Sequence, residues 1–150
     1  RAILLTHTHS DHMGGVERIR RATGVGVYVP FEEQSALRGV WDSTKAATVQ
    51  DGRELRFGGI RLTVRSTPGH TPGGVCYHSP MGVCFVGDSV FAGSVGRPYS
   101  PEGYQTLIRS LKEKVLILKE ETSLFPGHGP ATTVGEERHH NPFLAEGRMT

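Results

Sequence analysis

Four side chains that can bind a metal ion fall within six consecutive positions near the start of the chain. They are His7, His9, Asp11 and His12, and they follow an apolar run at residues 2–5 and precede Gly14-Gly15. In an extended segment, residues two apart point to the same side, so the imidazoles of His7 and His9 can reach one ion. Asp11 and His12 lie where the chain turns into a helix, and they can serve a second ion nearby. The alternative is an ordinary polar turn without a metal. Four potential ligands in six positions argue against that alternative.

The pattern around this segment predicts alternating strands and helices. The run at residues 2–5 indicates a buried strand, and the β-branched residues at 25–29 indicate a second one. Between them, Val16 and Ile19 share one face of a predicted helix, and Gly24 is a typical helix stop. A strand, a helix and a strand in this order predict a parallel pair and place the chain in the α/β class.

Three later loops each carry one further candidate ligand at the end of a predicted strand. His70 lies in an irregular loop at residues 68–74, Asp88 follows a predicted hairpin, and His128 lies in a Pro-Gly-His-Gly-Pro loop at 126–130. Strands fix the bases of such loops, while the loops supply ligands and leave positions open for water and substrate. A lone histidine in a Pro-Gly loop is usually a turn residue, so His70 and His128 become candidates because of the motif at 7–12.

Composition restricts the class of protein. The 150 residues suit one domain, and 36% hydrophobic with 21% charged residues is ordinary for a folded chain. The formal charge of +2, without a basic run, favours neither nucleic acid nor a membrane surface as a partner. Cys76 and Cys84 lie in strand-like runs, where two buried thiols are expected rather than a disulfide. We therefore expect a cytoplasmic protein with no membrane-spanning segment.

Taken together, the four motifs resemble those of the metallo-β-lactamase superfamily. Thr-His-Thr-His-Ser-Asp-His is similar to the HxHxDH signature, and Gly69-His70, Gly87-Asp88 and Gly127-His128 follow in the family's order across nearly the whole chain. The resemblance implies an αββα sandwich, with residues 1–150 forming one such domain. It implies that one divalent ion is bound by His7, His9 and His70, and a second by Asp11, His12 and His128, with Asp88 bridging both. Zinc is the expected metal, and iron and manganese accept the same mixed ligands.

The bridging aspartate also indicates a branch of the family. Class B β-lactamases have a cysteine or serine near this position, so Asp88 resembles the hydrolase branches instead. Segments 91–97, 132–137 and 141–143 are similar to glyoxalase II, which is hydroxyacylglutathione hydrolase, and to its single-domain relatives. In glyoxalase II a basic residue and a tyrosine after the bridging aspartate hold the glutathione moiety. Arg97 and Tyr99 stand at the matching positions, and a plain surface turn is the alternative.

The reaction that this resemblance implies is hydrolysis of an acyl thioester. Two cations lower the pKa of a bridging water, so hydroxide is available near neutral pH, and they can hold the oxyanion that develops on the acyl carbonyl. A thiol with a pKa of about 8.5 leaves as thiolate, so no strong general acid is needed. We expect Asp11 and Asp88 to act in catalysis, and Arg97 and Tyr99 to contact the substrate. We expect no C-terminal helical domain like that of full glyoxalase II, and therefore looser binding of the thiol arm.

Other functions remain open on the sequence. A persulfide dioxygenase of the same fold uses a single iron, for which His7, His70 and Asp88 can form a two-histidine, one-carboxylate triad. Members of that branch tend to have Pro-Ala-His-Asp where this chain has Pro-Gly-His-Gly at 126–129. A non-catalytic relic that binds partners should have lost a ligand, and none is lost. Lactone or phosphoester hydrolysis also suits the same centre.

Further expectations concern assembly and the remaining histidines. The strand at 2–5 should be buried on both faces, and the family places a further N-terminal sheet region before it, so about a quarter of the domain is expected to be missing. An exposed sheet edge can pair with a second copy, which predicts a homodimer. His78, His139 and His140 are interpreted as surface residues, and Trp41 as a packing residue or part of the substrate entrance.

Overall fold

The computed structural model describes residues 1–37 and 46–145, and Trp41 lies outside these ranges. The strands are β1 (Ala2–Leu4), β2 (Gly26–Pro30), β3 (Ala46–Val49), β4 (Glu54–Phe57), β5 (Ile60–Ser66), β6 (Val75–Ser79), β7 (Val83–Gly87), β8 (Val90–Phe91), β9 (Ser94–Val95), β10 (Ser123–Pro126) and β11 (Thr132–Thr133). The helices are α1 (Ser10–Met13), α2 (Val16–Thr23), α3 (Pro101–Lys114), α4 (Val134–His140) and a 3₁₀ helix (Phe31–Leu37). Among the described helices, none has the length and apolar character needed to cross a bilayer.

Two sheets and one small hairpin contain all of these strands. In the first sheet β1, β2 and β3 lie side by side in parallel. The second sheet has the order β11-β10-β7-β6-β5-β4, and its neighbours are antiparallel except for the parallel pair of β10 and β7. β8 and β9 form the separate hairpin. The parallel pairing of β1 with β2 across α2 confirms the predicted strand, helix and strand unit.

Three groups of buried side chains show how these elements stack. One group joins α2 to the first sheet and contains Leu5, Val16, Val27, Val29 and Leu37. A second lies between the two sheets and contains Val49, Leu55, Leu62, Val64, Val75 and Tyr77. A third joins the second sheet to α3 and α4, and includes Cys76, Cys84, Val86, Leu107, Leu111 and Val134. The order is therefore helix, sheet, sheet, helix, which confirms the expected αββα sandwich.

Local sequence patterns account for several of these elements. Along β6, Val75 and Tyr77 face the first sheet while Cys76 faces the helices, as the two-residue period of a strand requires. Cys76 and Cys84 are both buried and unpaired, as expected. α3 begins after Ser100, whose hydroxyl accepts the Gly103 N–H at 3.0 Å, as the capping pattern predicts.

Two expectations about burial are corrected by the structure. Ile19 was expected on the buried face of α2, yet it is 50% exposed, because only Val16 of this short helix reaches the core. β1 was expected to be buried on both faces, yet its three residues are only partly buried. Among the described residues β1 has one strand neighbour, β2, which explains this exposure. The missing N-terminal region and the homodimer stay predictions.

Candidate metal centre

All seven candidate ligands lie at one edge of the sandwich. They follow β1 (His7, His9), lie in α1 (Asp11, His12), or follow β5 (His70), β7 (Asp88) and β10 (His128). β5 and β7 are each antiparallel to β6, and β10 is parallel to β7, so these three strands run in the same direction. Their carboxyl ends therefore meet at the same edge, which brings loops from distant parts of the chain together.

Three histidines form the first group of ligands. His70 Nε2 lies 3.1 Å from His9 Nδ1, and one ligand atom from each of His7, His9 and His70 lies within 4.8 Å of the others. Asp88 borders this group, because its Oδ2 is 3.5 Å from His70 Nε2 and 3.9 Å from His7 Nε2. These are the four residues that the family resemblance assigns to one ion.

Asp11, His12 and His128 form the second group. Asp11 Oδ2 lies 3.1 Å from His128 Nε2 and 3.5 Å from His12 Nε2. Asp88 borders this group too, with Oδ1 3.2 Å from His12 Nε2 and Oδ2 3.5 Å from His128 Nε2. Desolvation opposes the charge of Asp11, but hydrogen bonding to its backbone and the neighbouring His12 and His128 hold its pKa below the usual value.

The donor atoms are spaced and buried as ligands of an ion would be. Two ligand atoms that share a tetrahedral ion at about 2.1 Å lie roughly 3.4 Å from each other, close to the separations around Asp88. His7 Nε2, His12 Nε2 and Asp88 Oδ1 are buried and make no hydrogen bond. Buried polar atoms without a partner destabilise a protein unless something satisfies them. Imidazole and carboxylate donors in this arrangement fit two divalent cations.

Burial affects the charge of one candidate histidine, and a hydrogen bond orients the ring of another. Burial, reinforced by the neighbouring His12, lowers the pKa of His7 to about 4, so its ring is neutral at neutral pH. His70 Nδ1 lies 2.7 Å from the carbonyl oxygen of Arg97. A carbonyl can only accept a hydrogen bond, so Nδ1 carries a proton, and Nε2 is the ring nitrogen left to serve as a ligand.

A glycine allows the His128 loop to approach the other ligands. A Cβ atom at Gly127 would collide with Asp88 Oδ1 and with the ring of His12. The loop after β10 can therefore lie this close only without a side chain at that position. In the Pro-Gly-His-Gly motif, the histidine supplies a candidate ligand and the preceding glycine avoids a steric clash.

The two predicted substrate residues lie beside the His70 loop. After Asp88 the chain forms the β8–β9 hairpin and returns to His70, where the Arg97 carbonyl accepts its hydrogen bond. The Tyr99 N–H donates to the Gly69 carbonyl at 3.1 Å. Both side chains are exposed, and Tyr99 is 56% exposed. Their backbone is thus fixed against the first ligand group, while the role of the side chains stays a prediction.

The remaining histidines lie apart from both ligand groups. His139 pairs with Glu120 at 3.1 Å and His140 with Glu136 at 3.2 Å, both on the exposed surface. His78 is partly buried in β6. None of the three belongs to a ligand group among the described residues.

The sequence did not reveal the groups that support the ligands. Glu33 is 5% exposed and lies against two of the ligand loops. In Phe31-Glu32-Glu33-Gln34 nothing distinguishes it from a solvated acidic residue. The role of the Arg97 carbonyl as hydrogen-bond acceptor for His70 could not be predicted either, because every residue has a backbone carbonyl.

Comparison with known proteins places the chain among metal-dependent hydrolases. The model of the metallo-β-lactamase superfamily matches residues 1–128. The probable metallo-hydrolase YqgX of Bacillus subtilis is 37% identical, over 95% of this chain and 75% of that protein. The hydroxyacylglutathione hydrolase GloC of Haemophilus influenzae is 34% identical, over 96% of this chain and 76% of that protein.

Solved structures agree with this placement. The BLEG-1 B3 metallo-β-lactamase superposes with a TM-score of 0.82 at 36% identity, over 95% of this chain and 76% of that one. TTHA1623 in a di-iron-bound form superposes with a TM-score of 0.77 at 38% identity, over 95% of this chain and 77% of that one. The matched residues, the αββα layers and the order of the motifs all agree, so the chain belongs to the metallo-β-lactamase superfamily.

Proposed function

We propose that this protein is a two-metal hydrolase that cleaves acyl thioesters of the hydroxyacylglutathione kind. The observation that carries the proposal is the position of Asp88. Its carboxylate lies within 3.9 Å of ligand atoms from both groups. Carboxylates shared between two ions are typical of two-metal hydrolytic sites.

In this proposal His7, His9 and His70 hold one ion, Asp11, His12 and His128 hold the other, and Asp88 holds both. When bound, the ions would make hydroxide available near neutral pH and polarise the acyl carbonyl. The chain keeps His7 neutral by burial and orients His70 through the Arg97 carbonyl. Asp11 is about half exposed, as is His128, so the second group is open to solvent on this side.

Zinc is the metal that we propose, with iron or manganese as alternatives. A related protein, TTHA1623, has been solved in a di-iron-bound form. The same imidazole and carboxylate donors suit all three metals, so ligand type does not choose between them. The free, buried thiols of Cys76 and Cys84 support the expected reducing compartment.

A thioester suits the acid and base groups of this site. A thiolate leaves without protonation, whereas the amine released from a β-lactam needs a proton. Asp11 is held ionised at neutral pH, so it is a poor proton donor. The relative GloC, which is described as a hydroxyacylglutathione hydrolase, supports the same choice. Arg97 would offer its charge to a substrate carboxylate, and Tyr99 its hydroxyl or ring.

The second candidate is an iron-dependent persulfide dioxygenase. Asp88 lies within 3.9 Å of both His7 and His70, so these three residues could also hold a single iron. The compact group of Asp11, His12 and His128 would then have no role. We therefore favour the two-metal hydrolase, with a lactonase using the same centre as a further alternative.

A panel of substrates assayed on the metal-restored protein tests this proposal. The panel contains glutathione thioesters, other acyl thioesters, lactones, a β-lactam and glutathione persulfide. We expect turnover of the thioesters, and Arg97→Ala should raise KM for those with a carboxylate while leaving kcat nearly unchanged, because the interaction is equal in ground and transition states. Oxygen consumption with the persulfide and no thioester turnover would establish the dioxygenase instead.

A further inference from the structure

Glu33 connects two loops that carry candidate ligands. Its Oε2 accepts the Thr8 N–H at 3.1 Å and the Thr8 hydroxyl at 2.5 Å. Its Oε1 accepts the Gly73 N–H at 2.9 Å. Thr8 lies between His7 and His9, and Gly73 follows His70 by three residues. One buried carboxylate therefore contacts both segments that supply the first ligand group.

The contact between Glu33 and Thr8 helps to fix the direction in which the His7 and His9 imidazoles point. Neighbouring residues of an extended segment point to opposite sides, so fixing Thr8 on one side directs His7 and His9 to the other. The Thr8 hydroxyl and amide bond to the same carboxylate oxygen, which restrains both side chain and backbone. Charge-assisted hydrogen bonds of this type are stronger than neutral ones.

The contact with Gly73 depends on the absence of a side chain. A Cβ atom at Gly73 would lie 2.6 Å from Glu32 Cβ and 2.9 Å from Glu33 Cγ. Only glycine lets the loop of His70 approach the 3₁₀ helix closely enough for its N–H to reach Glu33. Burial opposes ionisation of Glu33, but the neighbouring Thr71 and Thr8 hydroxyls and the backbone amides hold its pKa below the usual value.

We propose that Glu33 is a positioning residue that holds the loops of His7, His9 and His70 in one geometry before a metal binds. This inference rests on the proposed metal centre, because its purpose is to preorganise one set of ligands. Groups that orient metal ligands typically change metal affinity about 10- to 100-fold when they are removed. Glu33 therefore acts on the ions through the loops and without touching them.

Glu33→Gln tests this role, with Glu32→Gln as the matched control. Glutamine has nearly the same shape, but one carboxylate oxygen becomes an NH₂ group, which cannot accept from Thr8 or Gly73. Glu32 is the exposed neighbour on the same 3₁₀ helix, and its substitution removes the same charge. We expect Glu33→Gln to weaken zinc binding by about 10-fold or more and to alter the visible spectrum of the cobalt-substituted protein. Glu32→Gln should change neither.

Amide exchange of the metal-free protein separates this inference from the proposed function. Glu33→Gln should speed exchange at Thr8 and Gly73 while leaving amides of β6 and β7 unchanged. Thr8→Val removes one donor to the same carboxylate and should give a smaller effect that is not additive with Glu33→Gln. Unchanged zinc affinity, cobalt spectrum and local exchange in Glu33→Gln would overturn the inference. If the unmodified protein binds no metal, the proposed centre fails, and amide exchange still decides whether Glu33 orders the two loops.

Discussion

Asp88 is the carboxylate that lies against histidines of both groups. Its Oδ1 is buried without a hydrogen bond, and its Oδ2 lies near His7, His70 and His128. The groups around this carboxylate are histidine rings, which are neutral when they bind a metal. The negative charge of Asp88 is therefore best compensated by a bound cation. Removing it should therefore affect both ions at once.

We expect Asp88→Ala to lose both ions or leave them misplaced, and to reduce thioesterase activity by about 10³-fold or more, since metal ions contribute several kcal/mol of transition-state stabilisation. His78→Ala is the control, because His78 lies in β6 and belongs to neither group. Elemental analysis and thioester turnover measure the two effects. Equal behaviour of the two variants would show that the assignment of roles is wrong.

Residues that bind directly and residues that support them differ in how far the sequence predicts them. His7, His9, Asp11 and His12 are dense enough to be recognised within a few positions. Glu33 is part of an ordinary acidic pair, and its carboxylate accepts a hydrogen bond from Gly73, forty residues away in the chain. Sequence patterns report local spacing, whereas a supporting contact depends on which loops meet in space.

At the scale of elements, features that depend on nearby residues are the most predictable from sequence. The hairpin of β6 and β7 and the cap of α3 follow from nearby residues. The change of sheet between β3 and β4 does not follow from nearby residues. β3 pairs with β2 in the first sheet, whereas β4 pairs with β5 in the second. Partner choice among short strands depends on the packing of both faces, which a local pattern does not contain.

The turn between β3 and β4 is tied to the second sheet and α3 through Asp51. Asp51 Oδ1 accepts the Ser66 N–H at 2.8 Å, and Oδ2 pairs with Lys114 Nζ at 2.6 Å. Desolvation opposes the charge, but Lys114 and the Ser66 amide outweigh it and hold the pKa of Asp51 below its usual value. A depressed carboxyl pKa contributes stability above the unfolded pKa, and this contribution is lost as pH falls through the folded pKa.

Asp51→Asn should therefore lower the free energy of unfolding at about pH 7 by about 0.5–1 kcal/mol, a small value because the pair is partly exposed and screened. The difference from the unmodified protein should shrink as pH falls below about 4. Urea unfolding of the metal-free protein at several pH values measures both effects. A difference that stays constant down to acid pH would contradict the role of the ionised carboxylate.

At the scale of the whole molecule, the sandwich depends on contacts between its layers. Tyr77 is 1% exposed and lies between the two sheets, and its hydroxyl donates to the Leu5 carbonyl at 2.7 Å. Leu5 immediately precedes Thr6 and His7. The bond therefore joins β6 to the segment that carries the first ligands. The αββα architecture could be expected from the motifs, but this link between layers could not.

Tyr77→Phe should lower the free energy of unfolding by about 1–2 kcal/mol, because the buried Leu5 carbonyl loses its tyrosine donor. Tyr28→Phe is the control, since Tyr28 is only partly buried in β2. Chemical unfolding of the two variants and the unmodified protein gives the comparison. A loss for Tyr77→Phe no greater than that for Tyr28→Phe would show that this hydrogen bond does not stabilise the sandwich.

The number of ions that the chain binds tests the two-metal centre most directly. Metal-free protein is reconstituted with zinc, separated from free metal and analysed for bound ions per chain. The seven ligands predict two ions per chain, with thioester turnover rising as the second site fills. A single bound ion at saturation, or iron alone with persulfide-dependent oxygen uptake, would contradict the two-metal hydrolase.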